Sequence, residues 1–141
     1  MSGRWLLAGV VAASFALSGC ESPAESAAAQ PARVVAIEGT EVSEVILTDE
    51  AAHRIAIATA PVVESSRNRV AVPLAAVIYD ASGVTWVYTQ VGPLTFVRQR
   101  VTIAEVTGGV AVLLSGPSPG VQVVIIGAAE LLGSEYGVEG E

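Results

Sequence analysis

The sequence predicts a mainly β fold: a small antiparallel β-sandwich or partly open barrel with one or two short helices. Short runs rich in valine and isoleucine recur from residue 69 onward, and several of them alternate apolar with polar residues. Clusters of glycine, proline and aspartate separate these runs, as expected of turns between antiparallel strands. The length of 141 residues leaves room for one modest domain.

The strands follow from this pattern. The segment 84–89 alternates and places Val84, Trp86 and Tyr88 on one face. A turn at 92–93 leads into a strand with two faces: Val97, Val101 and Ile103 on one, and Phe96, Arg98, Arg100 and Thr102 on the other. Further strands are expected at 70–73, 76–79 and 110–114, with turns at 80–83, 108–109 and 116–120. The apolar run 121–126 predicts a strand buried on both faces.

Short helices are expected near both ends of the domain. A strand over 42–47 is followed by Thr48, which is suited to cap a helix whose apolar face holds Ala51, Ala52 and Ile55. The alternation at 55–59 fits either an extension of that helix or a new strand stopped by Pro61. At the other end, residues 128–132 are expected to form one helical turn closed at residue 133.

The N-terminal 19 residues are typical of a secretory signal peptide. Arg4 precedes an apolar run over 5–17, which is too short for a bilayer span of about 20 residues. The following LSGC at 17–20 resembles the bacterial lipoprotein lipobox, which implies that Cys20 carries a diacylglycerol and anchors the chain to the outside of a membrane. Cleavage near residues 27–29 and an uncleaved anchor are the alternatives. Residues 20–33 then form a flexible tether, 34–137 the folded domain and 138–141 a tail.

Charge and composition exclude several classes of function. The net charge is −7 and the chain contains no lysine, so it lacks the positive field that nucleic-acid binding requires. One cysteine excludes an internal disulfide framework and a cysteine-based zinc site. The single histidine, His53, has the context of a polar position on a short helix, and no serine lies in a GxSxG context. The sequence therefore indicates no catalytic, cofactor-binding or metal-binding residue, and we expect a protein that is not an enzyme.

Two residue sets are candidates for binding. Arg98 and Arg100 share a strand face, where they either contact an acidic partner or simply form a solvated sheet face. Trp86 and Tyr88 form either a binding platform or, as their alternation with Val84 favours, part of the core.

The order of the segments resembles the C-terminal part of periplasmic adaptor subunits (membrane fusion proteins) of resistance-nodulation-division (RND) efflux systems. The matching segments are VPLAAV at 72–77, DASGVTWVY at 80–88, FVRQRV at 96–101, LSG at 114–116 with GVQVV at 120–124, and GAAELLGSEYG at 127–137. Upstream, VILTDEAA at 45–52 and IATA at 57–60 resemble a segment near the family's mature N-terminus. The family's lipoyl-like domain and α-helical hairpin have no counterpart, because about a dozen residues separate the two matching regions and no heptad segment occurs.

The resemblance implies the membrane-proximal domain alone, which in the family combines chain from both ends and faces the inner-membrane pump. We therefore expect a lipid-anchored envelope protein that contacts an inner-membrane RND-type transporter. The alternative is a free-standing envelope lipoprotein that binds a small ligand or a cell-wall component; a hydrolase and a degenerate adaptor fragment also remain open. The oligomeric state and the identity of the membrane are left open by the sequence.

Overall fold

The computed structural model describes residues 30–137 as three stacked layers. The signal peptide, Cys20 and most of the expected tether lie outside the described residues, as does the tail at 138–141. The described chain contains eleven strands and two α-helices. The strands are β1 (Ala32–Ala36), β2 (Ser43–Leu47), β3 (Ala58–Pro61), β4 (Val63–Ser65), β5 (Arg69–Pro73), β6 (Ile78–Tyr79), β7 (Thr85–Gly92), β8 (Thr95–Arg100), β9 (Thr102–Thr107), β10 (Val110–Ser115) and β11 (Gln122–Ile126). The helices are α1 (Asp49–Arg54) and α2 (Ala128–Glu135).

Two antiparallel sheets form the centre of the molecule. The large sheet has the strand order β1-β2-β8-β7-β11-β3, with β6 paired to β7, and the small sheet has the order β4-β5-β10-β9. The described chain crosses between the sheets four times, and two of these crossings are single-residue buried corners, Val62 and Val101, each 2% exposed. The predicted fold class, mainly β in a small antiparallel sandwich or partly open barrel with one or two short helices, is confirmed, and the structure has two sheets and two short α-helices.

Two hydrophobic cores lie on opposite faces of the large sheet. One core fills the space between the sheets and includes Val87 and Val123. The other lies between the large sheet and the helices and includes Tyr88 and Val124. Because neighbours along a strand point to opposite faces, β7 and β11 each contribute to both cores. The expected burial of the 121–126 strand on both faces is therefore confirmed, and so is the packed position of Tyr88.

Local sequence signals place most elements where they were expected. Thr48 caps α1, its hydroxyl accepting a hydrogen bond from Ala51 N–H at 3.1 Å. The two-residue turn Gly108-Gly109 joins β9 to β10 with both φ angles positive, a conformation that glycine adopts without strain. After α1 the chain turns into a strand, β3, which ends at Pro61.

Three expectations about element boundaries are wrong. The strand expected across residues 96–103 is divided at Val101, where the chain leaves the large sheet and enters the small one. β1 begins at Ala32, inside the segment assigned to the tether, because it pairs with β2. α2 does not end at Gly133 but continues to Glu135, and the chain then turns at Gly137 with φ +68°.

Candidate functional site

Arg98 lies inside the protein, although it was expected on an open sheet face. It belongs to β8 and faces the helix side of the large sheet, where only 6% of the residue is exposed. Its guanidinium lies 4.3 Å from the ring centroid of Trp86 and 5.4 Å from that of Tyr136. Stacking on aromatic rings stabilises a guanidinium that has lost water.

Glu135 neutralises this buried charge. Its Oε1 accepts hydrogen bonds from Arg98 Nε at 2.9 Å and from Ser43 N–H at 3.0 Å, and its Oε2 accepts one from Tyr88 O–H at 2.5 Å. Arg98 Nη2 also donates to the carbonyl oxygen of Glu41 at 3.0 Å. The side chains of Arg98 and Glu135 are 5% and 3% exposed, so the ion pair is fully internal. We call these two residues and Tyr88 the buried cluster.

The cluster shifts the pKa of two of its members. Burial alone lowers the pKa of Arg98, but the hydrogen bond and charge of Glu135 outweigh burial and raise it. Burial raises the pKa of Tyr88 above its usual value, and the hydrogen bond to Glu135 raises it further. Arg98 is therefore a permanent cation and Tyr88 a neutral hydrogen-bond donor.

A second set of hydrogen bonds orients Trp86, one of the two aromatic rings next to Arg98. Trp86 Nε1 donates to Asp80 Oδ2 at 2.9 Å, while Asp80 Oδ1 accepts from the N–H groups of Ser82 and Val84. These hydrogen bonds, the one from Trp86 first, lower the pKa of Asp80. The predicted turn at 80–83 thus also orients Trp86, which is 5% exposed and packed rather than displayed as a platform.

The arrangement holds three parts of the fold together. Arg98 and Glu135 join the loop before β2, the centre of the large sheet and the end of α2. Among the described residues, every buried side-chain nitrogen or oxygen has a hydrogen-bond partner. Hydrogen bonds within the fold therefore occupy the buried polar atoms of this network, which acts as a structural anchor.

Arg98 and Arg100, the two arginines predicted to contact a partner, therefore have different environments. Arg98 is internal, and the expectation that it lies on an accessible face is wrong because Glu135 and the two aromatic rings enclose it. Arg100, two residues further along β8, is exposed at the end of the strand. The proposed contact with an acidic partner thus remains a prediction for Arg100.

Sequence reasoning did not identify Glu135 as part of the site. Glu135 lies 37 residues beyond Arg98, and its position depends on α2 continuing past Gly133. The sequence feature that could have identified Glu135 is a single acidic residue beside Tyr136, near the end of a short apolar segment.

The remaining residues considered in the sequence are His53 and Cys20. His53 is exposed on α1. Within residues 30–137, no three His, Cys, Asp or Glu side chains lie close enough together to hold a metal ion. The helices in that part of the chain are all too short or too polar to cross a bilayer. Cys20, the predicted lipid attachment site, lies outside the described residues.

Comparisons with protein-family models, with curated proteins and with solved structures gave no match to this chain.

Proposed function

We propose that this protein is a lipid-anchored component of the cell envelope that acts by protein–protein contact in transmembrane efflux. In this role it serves as the pump-facing domain of an RND adaptor does, and an inner-membrane RND-type transporter is its partner. The proposal joins the lipobox at 17–20 to the order of the β segments over 42–137.

The observation that carries the proposal is the composition of the large sheet. β2 and β3 come from the first part of the described chain, yet β2 pairs with β8 and β3 pairs with β11, both from its second part. The resemblance implies a membrane-proximal domain that combines chain from both ends, and this sheet has that arrangement. The tight turn Ser66–Asn68, which joins β4 to β5, lies within the dozen residues between the two matching regions, where the resemblance implies that the family carries its additional domains.

A rigid domain on a short tether suits docking to a membrane protein. The buried cluster fixes α2 and the β1–β2 loop to the sheet, so the domain presents a defined surface. Cys20 and Ala32 are 12 positions apart, and a fully extended chain of that length spans about 40 Å. A lipid on Cys20 would therefore keep the domain close to the bilayer and raise its effective concentration near a transporter.

The test is affinity purification of the full chain from detergent-solubilised bacterial membranes. We expect an RND-type inner-membrane transporter to be recovered with the wild-type protein, and mass spectrometry to find the mature N-terminus at a diacylated Cys20. The matched control is Cys20→Ala, which removes the lipid and should reduce recovery of the transporter. Arg100→Glu should weaken recovery if Arg100 contacts an acidic surface, whereas Arg100→Lys should retain it.

Two results would contradict the proposal. Wild-type protein with a confirmed lipid that recovers no transporter would exclude the efflux role. A Cys20→Ala variant that is secreted and still recovers the transporter equally well would show that the anchor contributes nothing.

A further inference from the structure

Arg100 carries a positive charge that no carboxylate among residues 30–137 neutralises. It is the last residue of β8 and is exposed, whereas the ion pairs within that range are Arg54–Glu50 and Arg98–Glu135. Because side chains two positions apart share a strand face, Arg100 projects from the same side of the large sheet as Arg98. Two guanidinium groups therefore lie on this face, and Glu135 neutralises one of them.

The carboxylates around this face are engaged elsewhere or remain separate from Arg100. Both oxygens of Glu135 accept hydrogen bonds inside the buried cluster, and both oxygens of Asp80 accept hydrogen bonds as well. Glu41 lies on the loop before β2, where its carbonyl oxygen is bound by Arg98, and its exposed side chain forms no ion pair with Arg100. A carboxylate of this chain that pairs with Arg100 therefore comes from outside residues 30–137.

The strand register places Arg100 beside the end of α2. Trp86 is the cross-strand partner of Arg100 in the β7–β8 pair. The Arg98 guanidinium lies 4.3 Å from the centroid of the Trp86 ring and 5.4 Å from that of Tyr136, the residue that follows α2. Arg100 and the half-exposed Tyr136 therefore border the same stretch of surface, with the Trp86 ring and the Arg98 guanidinium between them.

The tail that follows this surface is acidic. Residues 138–141 read Val-Glu-Gly-Glu, so Glu139 comes three positions after Tyr136. An extended chain of three residues spans about 10 Å, and two positions along β8 span about 7 Å. Glu139 can thus approach the Arg100 guanidinium without any change in the described fold. Glu141 is two positions further on, so in an extended backbone both carboxylates face the same way.

The tail is a better source of this carboxylate than a second molecule. A segment attached beside its binding site has an effective concentration on the order of millimolar, whatever the concentration of the protein. A second copy would have to approach against a net charge of −7 on each chain.

We propose that the tail folds back onto the surface around Arg100 and Tyr136, where Glu139 or Glu141 pairs with the Arg100 guanidinium. This contact covers the residue that is expected to meet an acidic surface of the partner. The tail is therefore an intramolecular competitor, which a partner displaces before it reaches Arg100. The competition rests on the proposed function, whereas the tail contact itself does not.

Photo-crosslinking of the full chain in detergent micelles tests the tail contact without a partner. A photoreactive amino acid replaces Gly140, between the two glutamates, and peptide mapping by mass spectrometry measures intramolecular adducts with the segment 98–102. The yield should fall about threefold in Arg100→Glu, the size of effect expected of an exposed ion pair, and should stay close to wild type in Arg100→Lys. Arg33→Glu is the matched control, because Arg33 lies level with the first residue of β8, at the other end of that strand, and the same charge change there should leave the yield unaltered.

A second measurement tests the competition. Replacement of both tail carboxylates, Glu139→Gln with Glu141→Gln, should raise recovery of the transporter from solubilised membranes about threefold, because the partner no longer displaces an ion pair. Equal recovery with and without these two changes would overturn the competition.

The outcomes separate the tail contact from the proposed function. An adduct yield that is the same in Arg100→Glu as in wild type, with the fold verified by circular dichroism, would overturn the tail contact, and so would adducts that join two copies. An Arg100-dependent adduct in a protein that recovers no transporter would support the tail contact and contradict only the efflux role. Recovery of a transporter together with an adduct that does not depend on Arg100 would contradict the tail contact alone.

Discussion

Loss of the Glu135 carboxylate should destabilise the fold more than loss of any surface charge. Glu135→Ala leaves Arg98 as an unpaired cation at a site where its side chain is 5% exposed. It also removes the acceptor used by Ser43 N–H and Tyr88 O–H. Breaking a buried ion pair by removing one partner costs roughly 3–5 kcal/mol, a large part of a small domain's stability.

Urea unfolding followed by circular dichroism measures this loss. With an m value of about 1.5–2 kcal/mol per molar for a domain of this size, the midpoint should fall by about 2 M. Glu135→Gln is the milder variant, because an amide keeps the shape and one acceptor oxygen but not the charge. It should cost about 1.5–3 kcal/mol, the contribution of a hydrogen bond to a charged group, and it remains measurable if the alanine variant does not fold.

A double-mutant cycle separates the ion pair from its surroundings. Arg98→Met and Glu135→Leu replace both charges by apolar groups, and the double variant should be more stable than the sum of the two single losses predicts, by about 2 kcal/mol. The exposed pair Arg54 and Glu50 is the control: Glu50→Ala should cost less than about 1 kcal/mol. If Glu135→Ala costs no more than Glu50→Ala, or if the cycle is additive, the internal ion pair described above does not exist in solution.

Three further predictions test local features of the fold. The hydrogen bond from Trp86 lowers the pKa of Asp80, so the stability that the Asp80 carboxylate contributes is present above its usual pKa of about 3.9 and is lost as the pH falls through the lower folded-state pKa. In Asp80→Asn the melting temperature should therefore depend less on pH at the acid end. An unchanged pH dependence of the melting temperature would contradict the role of this hydrogen bond. Gly109→Ala should lower the free energy of unfolding by about 1–2 kcal/mol because φ is +77° at this position. Gly133→Ala should raise it by about 0.5–1 kcal/mol because the residue is helical and a methyl group there meets open space. Urea midpoints that move in the same direction for both variants would contradict these two backbone conformations. Thr48→Ala should cost about 1 kcal/mol by removing the cap of α1, while Thr48→Ser should keep most of it, and equal midpoints for the two variants would exclude the cap.

Most of the sheet could be predicted because the signals that specify it are local. The glycine pair at 108–109 selects a two-residue hairpin, and the Asp80 turn closes on its own backbone. The uniformly apolar run at 121–126 predicts burial on both faces, whichever elements cover them. Each of these features depends on residues close together in the sequence.

The buried cluster could not be predicted in the same way, because tertiary contacts specify it. A glycine inside a helix costs about 1 kcal/mol relative to alanine, which makes Gly133 a reasonable helix end when only local preferences are considered. The hydrogen bonds of Glu135 to Arg98, Tyr88 and the β2 backbone more than offset this cost and extend the helix. An arginine on the same strand face as Phe96 looks the same in sequence whether it faces water or a carboxylate 37 residues away.

The division of the strand at Val101 has a related cause. The residue continues the alternating pattern of residues 96–103, so periodicity gives no reason to end the strand there. Its side chain is buried between the two sheets, and its N–H donates to Thr85 O at 3.0 Å in the large sheet. Packing between the sheets thus determines where the chain turns, and no local sequence feature at Val101 marks the end of the strand.

In-cell photo-crosslinking tests the central claim most directly, namely that the lipid-anchored domain docks on an inner-membrane transporter. A photoreactive amino acid in place of Arg100, and another in place of Val91 at the opposite end of the β7–β8 pair, would be introduced into the full chain. We expect position 100 to form an adduct with an RND-type transporter, and we expect less of this adduct in the Cys20→Ala background. Adducts only with other envelope proteins, or the same transporter adduct from both ends of the domain, would contradict it.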